Sequence, residues 1–149
     1  MIAFADSSAI VKLYADELGF GDVRAIDELV ISALTRVEIP SAFWHKCRMG
    51  ELAESTAAGL IATFEDDYFG TESAPPRFAA VDIGPSVLDG AARLLRVHGL
   101  RAYDAVQLAT AIVVADAVSG CRTIVTYDKD LYRAAAAEGL DVVPAELLS

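Results

Sequence analysis

Four short apolar runs, Ile2–Ala5, Leu29–Ile31, Phe78–Val81 and Thr123–Thr126, constrain this chain most. Each is too short for a helix, and a stretch of helical patterning follows each one. Apolar runs of this length without polar alternation suit strands buried on both faces, the condition of a parallel sheet. A fifth short strand is predicted at Val142–Val143. Strands and helices alternating at this spacing predict an α/β fold, a three-layer α/β/α sandwich with a central parallel sheet.

The helices fill the intervals. The first carries Ile10, Val11, Leu13 and Tyr14 inward and closes at Gly19 and Gly21, and a short one is predicted over Val23–Leu29. Leu34–Trp44 is helical by composition, but Pro40 removes a hydrogen bond there and implies a kink or a late start. Glu51–Phe69 is amphipathic, with Leu52, Ala57, Leu60, Ile61, Phe64 and Tyr68 on one stripe. Its Glu65-Asp66-Asp67 run reads as a solvated face. Pro85–His98 has proline in its first turn and Gly99 at its stop. Ala105–Val118 is the most apolar helix, and Asp130–Glu138 is the last.

At 149 residues and 54% hydrophobic content, the chain suits one domain over residues 1–149 with a sizeable core. No apolar run is long enough to span a bilayer, and Met1-Ile2-Ala3-Phe4 lacks a basic leader region. A cytoplasmic protein without membrane attachment is expected. Cys47 and Cys121 read as small core residues, and His45 and His98 are isolated, so neither a zinc site nor a disulfide framework is implied. The net charge of −10 repels nucleic acid. Any action on RNA then relies on bound cations, on a local basic patch, or on both.

Four acids stand where such cations would be useful. Asp6 and Asp128 lie just past the carboxyl ends of predicted strands, Glu38 follows the second strand, and Asp104 opens the Ala105–Val118 helix. Ligands gather at that edge of an open parallel sheet. Carboxylates without histidine or thiolate suit a hard divalent ion, Mg²⁺ or Mn²⁺. The alternative is helix capping: Asp6, Asp104 and Asp128 as N-caps, Gln107 completing a box with Asp104, and Thr35-x-x-Glu38 as a capping box. Spacing alone leaves both readings open.

Four motifs resemble, in order, those of PIN-domain proteins, most closely the VapC-type toxins of bacterial toxin–antitoxin pairs. They are Phe4-Ala5-Asp6-Ser7-Ser8-Ala9, Ile31-Ser32-Ala33-Leu34-Thr35-Arg36-Val37-Glu38, Leu100-Arg101-Ala102-Tyr103-Asp104-Ala105-Val106-Gln107-Leu108-Ala109, and Thr126-Tyr127-Asp128. The resemblance implies Asp6, Glu38, Asp104 and Asp128 as catalytic acids, with Asp6, Asp104 and Asp128 on the metal. Ser8 and Thr126 become supporting hydroxyls. It further implies a Mg²⁺- or Mn²⁺-dependent endoribonuclease that leaves a 5′-phosphate and a 3′-hydroxyl, a homodimer, and a cognate VapB-type antitoxin. The Leu52–Tyr68 stripe and Trp44 read as apolar surface beyond what one core needs, which suits the dimer. Arg36, Lys46 and Arg48 are candidate contacts to the RNA backbone. An RNA-processing nuclease without an antitoxin, and a non-catalytic binding module, are the alternatives. An aspartyl-phosphate enzyme of the haloacid-dehalogenase type is disfavoured, because Ser8 stands where its second Asp belongs.

Overall fold

A computed structural model describes residues 1–15 and 19–147. Its strands are β1 (Ile2–Ala5), β2 (Glu28–Ser32), β3 (Phe78–Val81), β4 (Thr123–Val125) and β5 (Asp141–Val143). The helices are α1 (Ser7–Ala15), α2 (Phe20–Arg24), α3 (Thr35–Arg48), α4 (Glu54–Phe69), α5 (Pro85–His98), α6 (Ala102–Ala117) and α7 (Lys129–Ala137). All strand pairs are parallel, in the order β3-β2-β1-β4-β5.

Successive side chains of the central strands divide between two cores, as the two-residue strand period requires. Ala3, Ala5, Leu29, Ile31 and Val125 face α1, α3 and α4, joining Ile10, Ile39, Phe43 and Phe64. Phe4, Val30 and Ile124 face the other way, onto Leu94, Leu108 and Leu131 of α5, α6 and α7. This is the expected three-layer sandwich.

The wide stripe of α4 is taken up by the first of these cores. Ala57 and Phe64 are fully buried, and Leu52, Leu60, Ile61 and Tyr68 pack against the cluster, as does Trp44 of α3. Phe64 meets Tyr14 edge-on at 5.8 Å and Phe78 at 6.1 Å. The stripe therefore joins α4 to α1 and β3, and is not the spare surface that the sequence suggested. Asp67 also departs from the solvated-face reading. It is half-buried and accepts a 2.6 Å hydrogen bond from the Tyr14 hydroxyl. Burial and this carboxylate together push the Tyr14 phenol far up, so it stays protonated.

Several boundaries move. The short helix expected over Val23–Leu29 is α2, at Phe20–Arg24, because Glu28 and Leu29 are claimed by parallel pairing with Ile2 and Ala3. Helix α4 starts at Glu54 rather than Glu51. Helix α7 starts at Lys129, with Asp128 as its cap. Helix α6 begins at Ala102, so Asp104 lies inside its first turn.

Pro40 neither ends nor delays α3, which runs from Thr35 through Arg48. The proline deprives the Arg36 carbonyl of its donor, at a helix penalty of roughly 3 kcal/mol. Replacement by alanine restores that bond and returns up to about 1 kcal/mol of freedom to the unfolded chain. Pro40→Ala is therefore expected to stabilise the fold by about 2 kcal/mol. Chemical denaturation measures it, and an unchanged or lower midpoint refutes it.

Candidate active site

The strand order reverses at β1: β2 and β3 lie on one side of it, β4 and β5 on the other. Open α/β sheets bind ligands at the carboxyl ends of the strands flanking such a switch point. Asp6 follows the last residue of β1, and Thr126 and Asp128 follow β4.

Asp6 is 3% exposed and held at both oxygens. Its Oδ1 accepts from Ser8 Oγ at 2.7 Å and from the Ala9 amide at 3.0 Å, and its Oδ2 accepts from Thr126 Oγ1 at 2.6 Å. Ser8 Oγ also accepts from the Tyr127 amide at 2.9 Å, and Thr126 Oγ1 from the Asp128 amide at 3.1 Å. Ser8 and Thr126 thus lace the ends of β1 and β4 together around one carboxylate.

Asp128 caps α7, accepting from the Leu131 amide at 2.9 Å through Oδ1. Its Oδ2 faces Arg101, whose guanidinium is 3.5 Å away and also lies 3.3 Å from Asp104 Oδ2. Asp104 caps nothing. Arg101 holds the cap position of α6, so the expected box with Gln107 does not form. The Thr35-x-x-Glu38 box does not form either, because α3 is preceded by Leu34 at its cap.

Glu38, in the first turn of α3, accepts from Ser7 Oγ at 2.9 Å and from Gln107 Nε2 at 2.6 Å, both through Oε1. Gln107 is 1% exposed, and its amide nitrogen also reaches Ser7 Oγ at 3.1 Å and Thr35 Oγ1 at 3.2 Å. Its Oε1 is buried without a partner among the described residues. Gln107 and Arg101, like Ser7, are residues near the acids to which the sequence reading gave no such role. A glutamine amid the apolar residues of the Ala105–Val118 helix was the available signal for the first. For the second it was an arginine one helical turn before an acid.

Asp6 and Asp128 follow strands, Glu38 and Asp104 lie in the first turns of α3 and α6, and Asp128 acts on both Asp6 and Asp104 while Glu38 acts on Asp104. Burial raises Asp6 to about 7, against the pull of its three hydrogen bonds and with help from Asp128. Burial, then the neighbouring Asp128, raises Asp104, while Arg101 opposes the shift and Glu38 adds to it. The centre is therefore short of positive charge.

Hard oxygen donors that repel one another fit a divalent cation. Among the described residues no three acidic, histidine or cysteine side chains already stand close enough to hold an ion between them. Arg101 sits instead between Asp104 and Asp128. Asp130, a conceivable fifth acid, is exposed on α7 behind the Asp128 cap.

Two concavities open beside the acids. One, of about 470 Å³, runs from Ser7, Ser8 and Glu38 along α3 to His45 and Arg48. The other, of about 380 Å³, is walled by Glu38, Arg101 and Asp104. Of the three expected backbone contacts, Arg48 lines the larger groove. Arg36 lies over the Phe69 ring and Lys46 pairs with Glu51.

A parallel sheet with helices on both faces and a buried carboxylate at its switch point defines an α/β protein of the doubly wound class. The PIN domain model matches residues 3–137, and the chain belongs to that family. It is 32% identical over 150 residues to Ribonuclease VapC45 and to Ribonuclease VapC49, both from Mycobacterium tuberculosis, covering 98% of this chain and 97% of each relative. Among solved structures, PAE2754 from Pyrobaculum aerophilum matches with a TM-score of 0.62 and 24% identity over 96% of this chain and 84% of that one. A toxin–antitoxin complex from Klebsiella pneumoniae matches with a TM-score of 0.59 and 17% identity over 98% and 99%. Both share the fold.

The Asp6 shift has a signed consequence. The metal-free folded chain keeps this proton up to about pH 7, whereas the reference carboxyl releases it near 3.8. The folded state then binds the extra proton between those values, so this group's contribution to stability falls as pH rises through the window. Asp6→Asn is expected to remove that part of the pH dependence and, at pH 8 in EDTA, to melt above wild type by up to about 4 kcal/mol. Denaturation at pH 5 and pH 8 reads it, and parallel profiles for the two proteins refute it.

The capping question has its own test, also in EDTA. Asp104→Asn and Asp128→Asn relieve repulsion while asparagine still caps α7, so both should melt at or above wild type. Asp128→Ala loses the cap and should fall by about 0.5–2 kcal/mol. A fall of that size in Asp104→Asn contradicts the assignment.

Proposed function

We propose that this chain is a Mg²⁺- or Mn²⁺-dependent endoribonuclease and the toxin of a type II toxin–antitoxin pair, with residues 1–149 forming one nuclease domain. What supports the reading is that Asp6 and Asp104, near Asp128 and Glu38 at the switch point, are raised by burial and by neighbouring carboxylates, a setting a cation would relieve. Near-full-length identity to two proteins named ribonucleases supports RNA as the substrate.

Asp6, Asp104 and Asp128 would hold the ion, which supplies counter-charge for the scissile phosphate and an acidified water. The chain's own residues set the rest. Ser8 and Thr126 fix both oxygens of Asp6 and so decide the direction in which it offers a lone pair. Ser7 and Gln107 hold Glu38 by Oε1, leaving Oε2 to take a proton from the attacking water. Arg101, with its side chain 81% exposed, is free to exchange its two carboxylates for a phosphate.

The resemblance to VapC-type toxins supports a homodimer and a VapB-type antitoxin in the cytoplasm. The Klebsiella pneumoniae fold neighbour is a toxin–antitoxin complex. Among the described residues no helix is long and apolar enough to cross a membrane.

The purified chain is expected to cut RNA with Mg²⁺ or Mn²⁺, to stop with EDTA, and to lose about 10²-fold or more in Asp6→Asn and Asp104→Asn. Equal cutting by both variants would point to a contaminant and sink the proposal. Light scattering at micromolar concentration should give a dimer mass.

A further inference from the structure

Of the three residues that follow β4, two serve the acids and one reaches away from them. Thr126 Oγ1 donates to Asp6, and Asp128 caps α7 and faces Arg101. Val125, the last residue of β4, packs in the core shared with α1. The two-residue strand period sends Tyr127 to the same face, where its half-buried ring joins that core.

The ring is gripped from two sides. Lys12, in the last turn of α1, holds its ammonium 4.4 Å from the ring centroid. Gly19, just before α2, lies against the ring with φ at +100°. A Cβ at Gly19 would fall 2.7 Å from a ring carbon and 2.8 Å from the hydroxyl oxygen, so a larger residue there must displace the tyrosine. The Tyr127 hydroxyl donates to the Gly19 carbonyl at 2.9 Å. Burial raises this phenol to about 12, and Asp22 and Asp6 add to the shift, so the hydroxyl keeps its proton and remains a donor. Phenylalanine would fill the same space; the hydroxyl adds a fixed point rather than bulk. At its other end the residue touches the acids' own network. Its amide donates to Ser8 Oγ at 2.9 Å, and Ser8 Oγ donates to Asp6 Oδ1.

We propose that Tyr127 is a positioning residue for the cation: its gripped ring and hydroxyl tether fix the course of Thr126–Asp128, and with it the placement of Asp128 relative to Asp6. The inference rests on the metal-dependent nuclease reading and adds to it a residue that touches neither ion nor RNA. Asp128 and Asp6 repel each other in the metal-free fold. A loosened segment would let Asp128 drift outward, and an arriving ion would have to draw it back. Groups that hold metal ligands in place commonly set affinity for this reason.

The test titrates the full chain with Mn²⁺ by calorimetry and measures RNA cleavage across Mn²⁺ concentrations. Tyr127→Phe, which keeps the ring and loses the tether, should raise the Mn²⁺ Kd about 10-fold, and Tyr127→Leu and Gly19→Ala by up to about 100-fold. The Mn²⁺ concentration for half-maximal cleavage should rise by the same factors, while KM for RNA and kcat at saturating Mn²⁺ hold. Gly19→Ala should add little to the Kd of Tyr127→Leu, because the ring it displaces is already gone. Phe64→Leu, a core change in the same cluster, should lower the melting midpoint and leave the Kd unchanged. Where Tyr127→Leu does not fold, Tyr127→Phe carries the test alone. An unchanged Kd in Tyr127→Phe, or a loss in Tyr127→Leu no greater than in Phe64→Leu, overturns the inference and leaves the nuclease reading standing. A wild-type chain that binds no Mn²⁺ and cuts no RNA overturns both together.

Discussion

One buried carboxylate holds the ends of β1 and β4 in place. Asp6 accepts from a hydroxyl two residues on, from an amide in the first turn of α1, and from Thr126 across the sheet. Those contacts tie α1, β1 and β4 at the point where the strand order reverses. Even so, three hydrogen bonds do not offset its burial, and the group holds its proton to about pH 7. The same residue therefore organises the fold when neutral and is strained when charged. A cation is the natural remedy, because it favours the carboxylate without disturbing the donors already in place.

The charge of the whole chain gives that local deficit a purpose. A surface at −10 repels RNA at long range, within limits set by salt. Selectivity then falls to the few places where positive charge is fixed or recruited. Arg101 is such a place in the metal-free fold: exposed, bridging Asp104 and Asp128, and held by two long contacts that solvent weakens. On the proposed nuclease reading, a divalent ion would take over the acids and leave the guanidinium for a phosphate.

The layers and the parallel sheet were legible because they follow from apolar periodicity, and Asp6 and Asp128 were placed by where polar residues interrupt it, whereas joining four acids into one site rested on the family resemblance. The bounds of α5 were legible too, since Pro85 and Gly99 act locally. What escaped was decided by contacts distant in sequence. Glu28 joins β2 because Ile2 lies beside it, and α4's stripe is consumed because Tyr14 and Phe78 reach Phe64. The capping alternatives split for the same reason. Asp6 and Asp128 do accept amide hydrogens of the helices behind them, so cap and candidate ligand are one residue there. Asp104 differs because α6 starts a turn earlier than its apolar run suggests, with Arg101 at the boundary.

Gln107 shows how far this fold accommodates its acids. Its amide nitrogen has two hydrogens and three acceptors within 3.2 Å, the shortest being Glu38, while its oxygen is buried with none among the described residues. An orphaned carbonyl of this kind costs about 1–3 kcal/mol. A leucine or methionine would remove that cost. It would also leave Glu38 held by Ser7 alone, on a helix already weakened two residues later at Pro40. Stability alone would favour the apolar residue. A buried glutamine in the second turn of α6 makes sense if the orientation of Glu38 matters more than the free energy lost in fixing it.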